Sequence, residues 1–168
     1  MISSNYIVSR VKSLYNEAVI KCEGLNISIV HELEKVVVKK MAALGTASNR
    51  GVISISSAFV DTNEYNELDD TIKHEIAHLI AGINSGHNQY WKWCCVNIVK
   101  CKPNRLANIS KALCEKKYNY ILYFDTETRK KQVVRYYSNR PPKKYLEAKP
   151  NQYKAKGEFI TKFYYQAI

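Results

Sequence analysis

No stretch of this 168-residue chain approaches the run of about eighteen apolar residues that a membrane-spanning helix needs. Its opening, Met1-Ile2-Ser3-Ser4-Asn5, lacks the basic-then-apolar pattern of a secretory signal. The expectation is a protein with no membrane partner that stays in the cytoplasm, or in a host cytoplasm if a phage or mobile element encodes it. Cysteine is scarce in a particular way: there are five, an odd number, with no Cys-x-x-Cys pair and none after Cys114. Neither a disulfide framework nor a paired-cysteine zinc ribbon is indicated, and reduced, buried thiols are the expected state. Acidic residues are few in the second half. Residues 91–168 hold 18 Lys/Arg against 5 Asp/Glu, a net of +13, while residues 1–90 hold 8 against 10, a net of −2. Charge for an anionic partner is therefore concentrated after position 90.

What is present centres on Thr71-Ile72-Lys73-His74-Glu75-Ile76-Ala77-His78-Leu79-Ile80-Ala81-Gly82, continuing to Gly86-His87-Asn88-Gln89-Tyr90-Trp91-Lys92-Trp93. On a helix, His74 and His78 are one turn apart on one face, so both imidazoles reach a single metal ion. Glu75 is offset by about 100°, which places its carboxylate beside the ion as a general base for water. Catalytic zinc keeps three protein ligands and one open position, and His87 is the natural third ligand because Gly82 and Gly86 let the chain turn back. One zinc ion per chain is expected. The pentad alone is a weak signal. Its apolar company of Ile72, Ile76, Ala77, Leu79 and Ile80 strengthens it, since a buried helix rarely carries two histidines and a glutamate without a use for them.

Along the chain, Ile7, Val11, Leu14, Ala18 and Cys22 are at helical spacing and predict an amphipathic helix over 5–22. Alternation at 25–30, a β-branched run from Val36 towards Leu44, and Val52–Ser56 predict three short strands before the metal helix. Asp61-Thr62-Asn63-Glu64 offers a capping arrangement for a helix from about 64 to 81. A further helix starts near Gln89 and stops before Pro103. Trp91 lies four residues after His87 and is expected to pack beside that imidazole as a supporting side chain, with a plain core tryptophan as the equal alternative. From Tyr118 the pattern becomes a β-hairpin turning at 125–128, and Gly157–Tyr165 suggests a last strand. The fold expected is α+β: helices packed on a small three-stranded sheet over residues 1–115, then a small antiparallel β appendage over 116–168.

The run His74-Glu75-Ile76-Ala77-His78-Leu79, a short gap, then His87-x-x-x-Trp91-Lys92-Trp93 resembles the metal-binding core of the SprT-like (Spartan-like) metalloproteases. Gly45-Thr46-Ala47 with Arg50–Ser56 resembles the strand pair before that family's metal helix. The similarity spans roughly 5–115. Asn88 stands where the family usually has Gly. The appendage occupies the place of the family's zinc ribbon without its cysteines, as if the sheet had kept the role and lost the metal. The resemblance implies a zinc endopeptidase with Glu75 as base and then as acid for the leaving amine. It also implies protein substrates crosslinked or tightly bound to DNA.

Lys116, Lys117, Arg129, Lys130, Lys131, Arg135, Arg140, Lys143 and Lys144 are interleaved with tyrosines, ten of whose thirteen lie at or after Tyr90. Cations neutralise phosphates and aromatic faces stack on bases, so single-stranded or distorted DNA is the expected partner. The bland alternative is that Tyr builds strands and Lys keeps their edges soluble. Two other functions compete. One is a non-catalytic binding protein with a structural or inactive zinc site. The other is a hydrolase of the deformylase type, which would draw a cysteine ligand from an upstream motif that this chain lacks.

Overall fold

The computed structural model describes residues 1–103, 113, 119–137 and 142–168, which fall into two compact units, Met1–Leu113 and Cys114–Ile168. No described helix is long and apolar enough to cross a membrane.

In the first unit, α1 (Ser4–Gly24) starts where the Ser3 side chain accepts from the Tyr6 amide, and it buries Ile7, Val11, Leu14, Ala18 and Cys22 along one stripe. The sheet consists of β1 (Lys35–Lys39), β2 (Gly45–Ala47) and β3 (Val52–Ser56) in the order β1-β3-β2, with β1 parallel and β2 antiparallel to β3. Central β3 has Ile53 and Ile55 fully buried, as expected of a strand paired on both edges. At the β2–β3 turn Gly51 has φ 69°. A Cβ there would stand 1.9 Å from the Glu32 carbonyl oxygen, so only glycine fits. Next come α2 (Tyr65–Ala81) and α3 (Gln89–Asn97), and both helices contribute to one apolar core with α1 and the sheet. Arg10 on α1 grips Asp69 on α2 through Nε and Nη2, at 2.9 and 2.5 Å.

Three local expectations are corrected. Residues 25–30 alternate like a strand but find no strand partner. Instead the Val30 and His31 amides donate to the Ile80 and Leu79 carbonyls in the last turn of α2, while Ile27 and Ile29 pack on the core. The expected strand from Val36 towards Leu44 ends at Lys39, and Gly45–Ala47 supplies the third strand. At the start of α2 the Asp61 capping arrangement does not form. Asp61 takes φ 60°, and Thr62 Oγ1 accepts from the Glu64 amide while donating to the Phe59 carbonyl.

The second unit contains β4 (Tyr120–Asp125), β5 (Gln132–Tyr137), a single helical turn α4 (Lys143–Leu146), a two-residue ladder β6 (Lys154–Ala155) with β7 (Glu158–Phe159), and β8 (Lys162–Ala167). β4 is central, antiparallel to both β5 and β8, with a bulge where Val134 is the extra residue between the Leu122–Arg135 and Tyr123–Val133 pairs. The last strand thus begins later than expected, because Gly157 (φ 85°) turns the chain between β6 and β7. Glu158 bonds the β4–β5 connection to β7: Thr126 Oγ1 and Thr128 Oγ1 donate to its carboxylate, and Arg129 pairs with it at 3.3 Å. These contacts hold the Glu158 carboxyl below its ordinary pKa, the Thr126 bond contributing most.

Candidate metal centre

α2 carries His74 and His78 on one side and ends at Gly82, whose φ of 88° is open to glycine. A short 3-10 turn (Ile83–Ser85) follows, and Gly86 at φ 52° reverses the chain so that His87 faces back. Asn88 is extended, with φ −67°, and needs no left-handed tolerance. Its Oδ1 accepts from the Trp91 amide at 2.8 Å and caps α3. The residue that departs from the family pattern therefore has its own task, which is to start the next helix immediately after the third histidine.

The three imidazoles converge. His87 Nε2 lies 3.2 Å from both His78 Nε2 and His74 Nε2. A ring nitrogen has either one hydrogen or one in-plane lone pair, so His87 Nε2 cannot serve two neighbours well by hydrogen bonding alone. A cation satisfies all three. Zinc held tetrahedrally by nitrogens at ~2.05 Å separates them by about 3.3 Å, which matches the spacing found. Among the described residues these histidines are the one group of His, Cys, Asp or Glu side chains placed to hold an ion. Burial, and then the charge of His87, lowers the His78 pKa to about 4, so the ring is neutral at physiological pH, the form that ligates.

Trp91 is fully buried and packs against all three imidazoles. Its ring centroid lies 4.8, 5.1 and 4.3 Å from those of His74, His78 and His87. Its Nε1 is buried without a hydrogen-bond partner among the described residues, so its contribution is area and rigidity rather than polarity. Trp93, two residues on, points away, 40% exposed and stacked on Tyr90.

Glu75 is 5% exposed and turned towards β2. A Cβ built on Gly45 would meet Thr71 Cγ2 at 2.7 Å, Glu75 Cγ at 2.9 Å and Glu75 Oε1 at 3.0 Å. Glycine at this one strand position lets the backbone press against the carboxylate. The sequence reading placed Gly45 only in a strand pair and missed this role. The available signal was an isolated glycine within a strand, which marks close backbone approach.

Residues 13–115, more than half of the chain, match the SprT-like family. The chain belongs to the SprT-like family. This is in general a family of zinc metalloproteases, and the matched span contains His74, Glu75, His78, His87 and Trp91. No curated protein and no solved structure gives a significant match. In this SprT-like chain the three histidines lie close enough to bind a metal ion.

Among the described residues, the basic side chains singled out in the second half do not gather as the histidines do. Lys116, Lys117 and Arg140 lie outside the described residues. Arg129 is engaged by Glu158, and Lys130 Nζ donates to the Thr126 carbonyl at 2.8 Å. Lys131, Arg135 and Lys144 stand over the rings of Tyr123, Tyr137 and Tyr145 at 5.3, 5.7 and 5.0 Å, and Lys143 is exposed. Several tyrosine faces are therefore already covered by cations, and Tyr123 is buried.

Proposed function

We propose that this protein is a zinc-dependent endopeptidase acting on proteins bound or crosslinked to DNA, and that its basic second half holds the DNA. The observation that carries the catalytic part is the convergence of three Nε2 atoms on the helix side next to a buried Glu75. When bound, zinc acts as a Lewis acid towards the scissile carbonyl and brings the pKa of water towards neutrality. His74, His78 and His87 would hold it, and Trp91 keeps their rings from turning. Glu75 takes the proton from the attacking water and returns it to the leaving amine. Gly45 and Thr71 fix where that carboxylate stands.

For DNA the support is the charge imbalance together with the exposed ammonium and guanidinium groups of the second unit. Because the tyrosine faces are partly occupied, affinity rests more on phosphate neutralisation than on base stacking, and it is steeply salt-dependent. The competing reading is a metal-holding binding protein without catalysis. Glu75 argues against it, since a purely structural site has no need of a buried carboxylate beside its ligands.

The deciding experiment compares wild type with Glu75→Gln on a basic DNA-binding protein, with and without single-stranded DNA, zinc content being assayed in parallel. The expected result is cleavage by wild type only, stimulated by DNA, with equal zinc in both proteins. Failure of both to cut while both hold zinc and bind DNA would establish the binding-protein reading.

A further inference from the structure

On the first unit, away from the histidines, a cavity of about 340 Å3 opens between α1, α2 and the chain that follows α3. Its floor is apolar, formed by Leu14, Ala18, Ile98 and Val99, and its wall carries Lys21, Lys73 and Lys100. Arg10 also reaches it but is committed to Asp69, and the single carboxylate in the wall, Glu17, accepts from Ser13 Oγ at 3.2 Å. None of the three lysines is ion-paired with a carboxylate among the described residues.

This arrangement is unfavourable without a ligand. Lys21 and Lys100 line the same cavity, and burial together with the charge of Lys100 holds the Lys21 ammonium below its ordinary pKa. Lys100 also occupies the left-handed region at φ 56°, a conformation that a lysine adopts at a cost in strain. An oxyanion between the ammonium groups would remove the repulsion and accept charge-assisted hydrogen bonds from all three, over an apolar floor that strengthens them.

We propose that Lys21, Lys73 and Lys100 form a phosphate-binding site on the SprT-like unit, distinct from the metal centre. Lys73 immediately precedes His74 on α2, so its side chain leaves the helix about 100° away from the ligand face. The site and the metal are thus neighbours on one rigid element without sharing a side chain. The volume accommodates a phosphate with its attached sugar, at the lower end of small-ligand cavities. The phosphate could be supplied free or as part of a nucleic-acid backbone, and the chemistry of recognition is the same.

The test is acylation of lysine amines on the full-length chain, mapped by mass spectrometry, with no addition, with inorganic phosphate, and with a single-stranded oligonucleotide. Labelling of Lys21 and Lys100 is expected to fall several-fold with an anion, while exposed Lys12 and Lys39 are unchanged. Protection by phosphate alone assigns a free-phosphate site. Protection by the oligonucleotide, with or without phosphate, assigns a backbone phosphate. In the latter case Lys21→Met/Lys100→Met lowers the slope of log affinity against log salt by about 0.7, the value for one single-strand phosphate contact. Unchanged labelling of Lys21 in both anions overturns the proposal. Neither arm depends on zinc or on cleavage, so a negative protease assay leaves this result readable.

Discussion

Replacing Gly45 by Ala adds one methyl group at the point where β2 meets the helix carrying Glu75. Carbon atoms pack at about 3.5–4.0 Å, so neighbours at 2.7 Å and 2.9 Å from the new Cβ must retreat by roughly 0.6–0.8 Å. Thr71 Cγ2 is anchored, because Thr71 is fully buried and its Oγ1 donates to the Glu67 carbonyl at 2.7 Å. The longer Glu75 side chain is the part that gives. Overpacking of this kind costs about 1–3 kcal/mol. Reduced freedom of the unfolded chain offsets about 0.4–1 kcal/mol of it, since Gly45 does not occupy a left-handed conformation. The net expectation is a modest loss of stability. The functional effect is larger, because a displacement approaching 1 Å at a reacting group lowers turnover on the order of 100-fold. Zinc content should be unaffected, as the atoms nearest the added methyl belong to Thr71 and Glu75 and not to the histidines. The assay is kcat for peptide cleavage alongside bound zinc and a thermal melt. Wild-type kcat in a folded, zinc-loaded Gly45→Ala would refute the assignment of Glu75 as the base held in place by this strand.

Trp91→Ala should destabilise the first unit by about 3–5 kcal/mol and weaken zinc binding on the order of 10–100-fold, read by denaturant unfolding and competition with a chelating dye. Trp91→Phe should cost clearly less, because it keeps a ring against the imidazoles and removes an unpartnered buried N–H. Asn88→Ala should cost about 1 kcal/mol in the same unfolding assay, while Asn88→Gly should cost only a few tenths, the pattern of a lost N-cap. Glu158 has a lowered folded pKa, so its contribution to the second unit is full above the ordinary carboxylate value of 4.5 and fades as pH falls through the lower folded value. Glu158→Gln should flatten that acid limb of the melting-temperature profile, and an unchanged limb would remove Glu158 from the account.

Much of the site was legible because its information is local. The spacing of His74 and His78, the apolar run between them, and Gly82 and Gly86 before His87 each have a direct physical meaning in sequence. What escaped was set by contacts distant in the chain. The alternation at 25–30 is equally compatible with a strand and with an extended segment lying along the core. Only the presence of the Leu79 and Ile80 carbonyls nearby decides between them. Asn88 showed in sequence only as a departure from the family's glycine, whereas its side chain is needed for the amide of Trp91. The basic residues after position 115 showed their charge but not their neighbours. Arg129 and Lys131 turn out to be engaged by a carboxylate and a tyrosine that a count of charges leaves out.

The positions of the ligands also bear on the order of events during folding. His74, His78 and His87 fall within fourteen consecutive residues, so the metal-holding loop closes at small entropic expense once one helix and one turn exist. The seat of Glu75 against Gly45 joins segments thirty residues apart and requires the β2–β3 pairing to be in register. Contacts of short range form early and those of long range late. On the proposed function, a nascent chain is expected to acquire a zinc ion before Glu75 is aligned, and so to pass through a loaded but chemically silent stage while its own unfolded segments are still exposed.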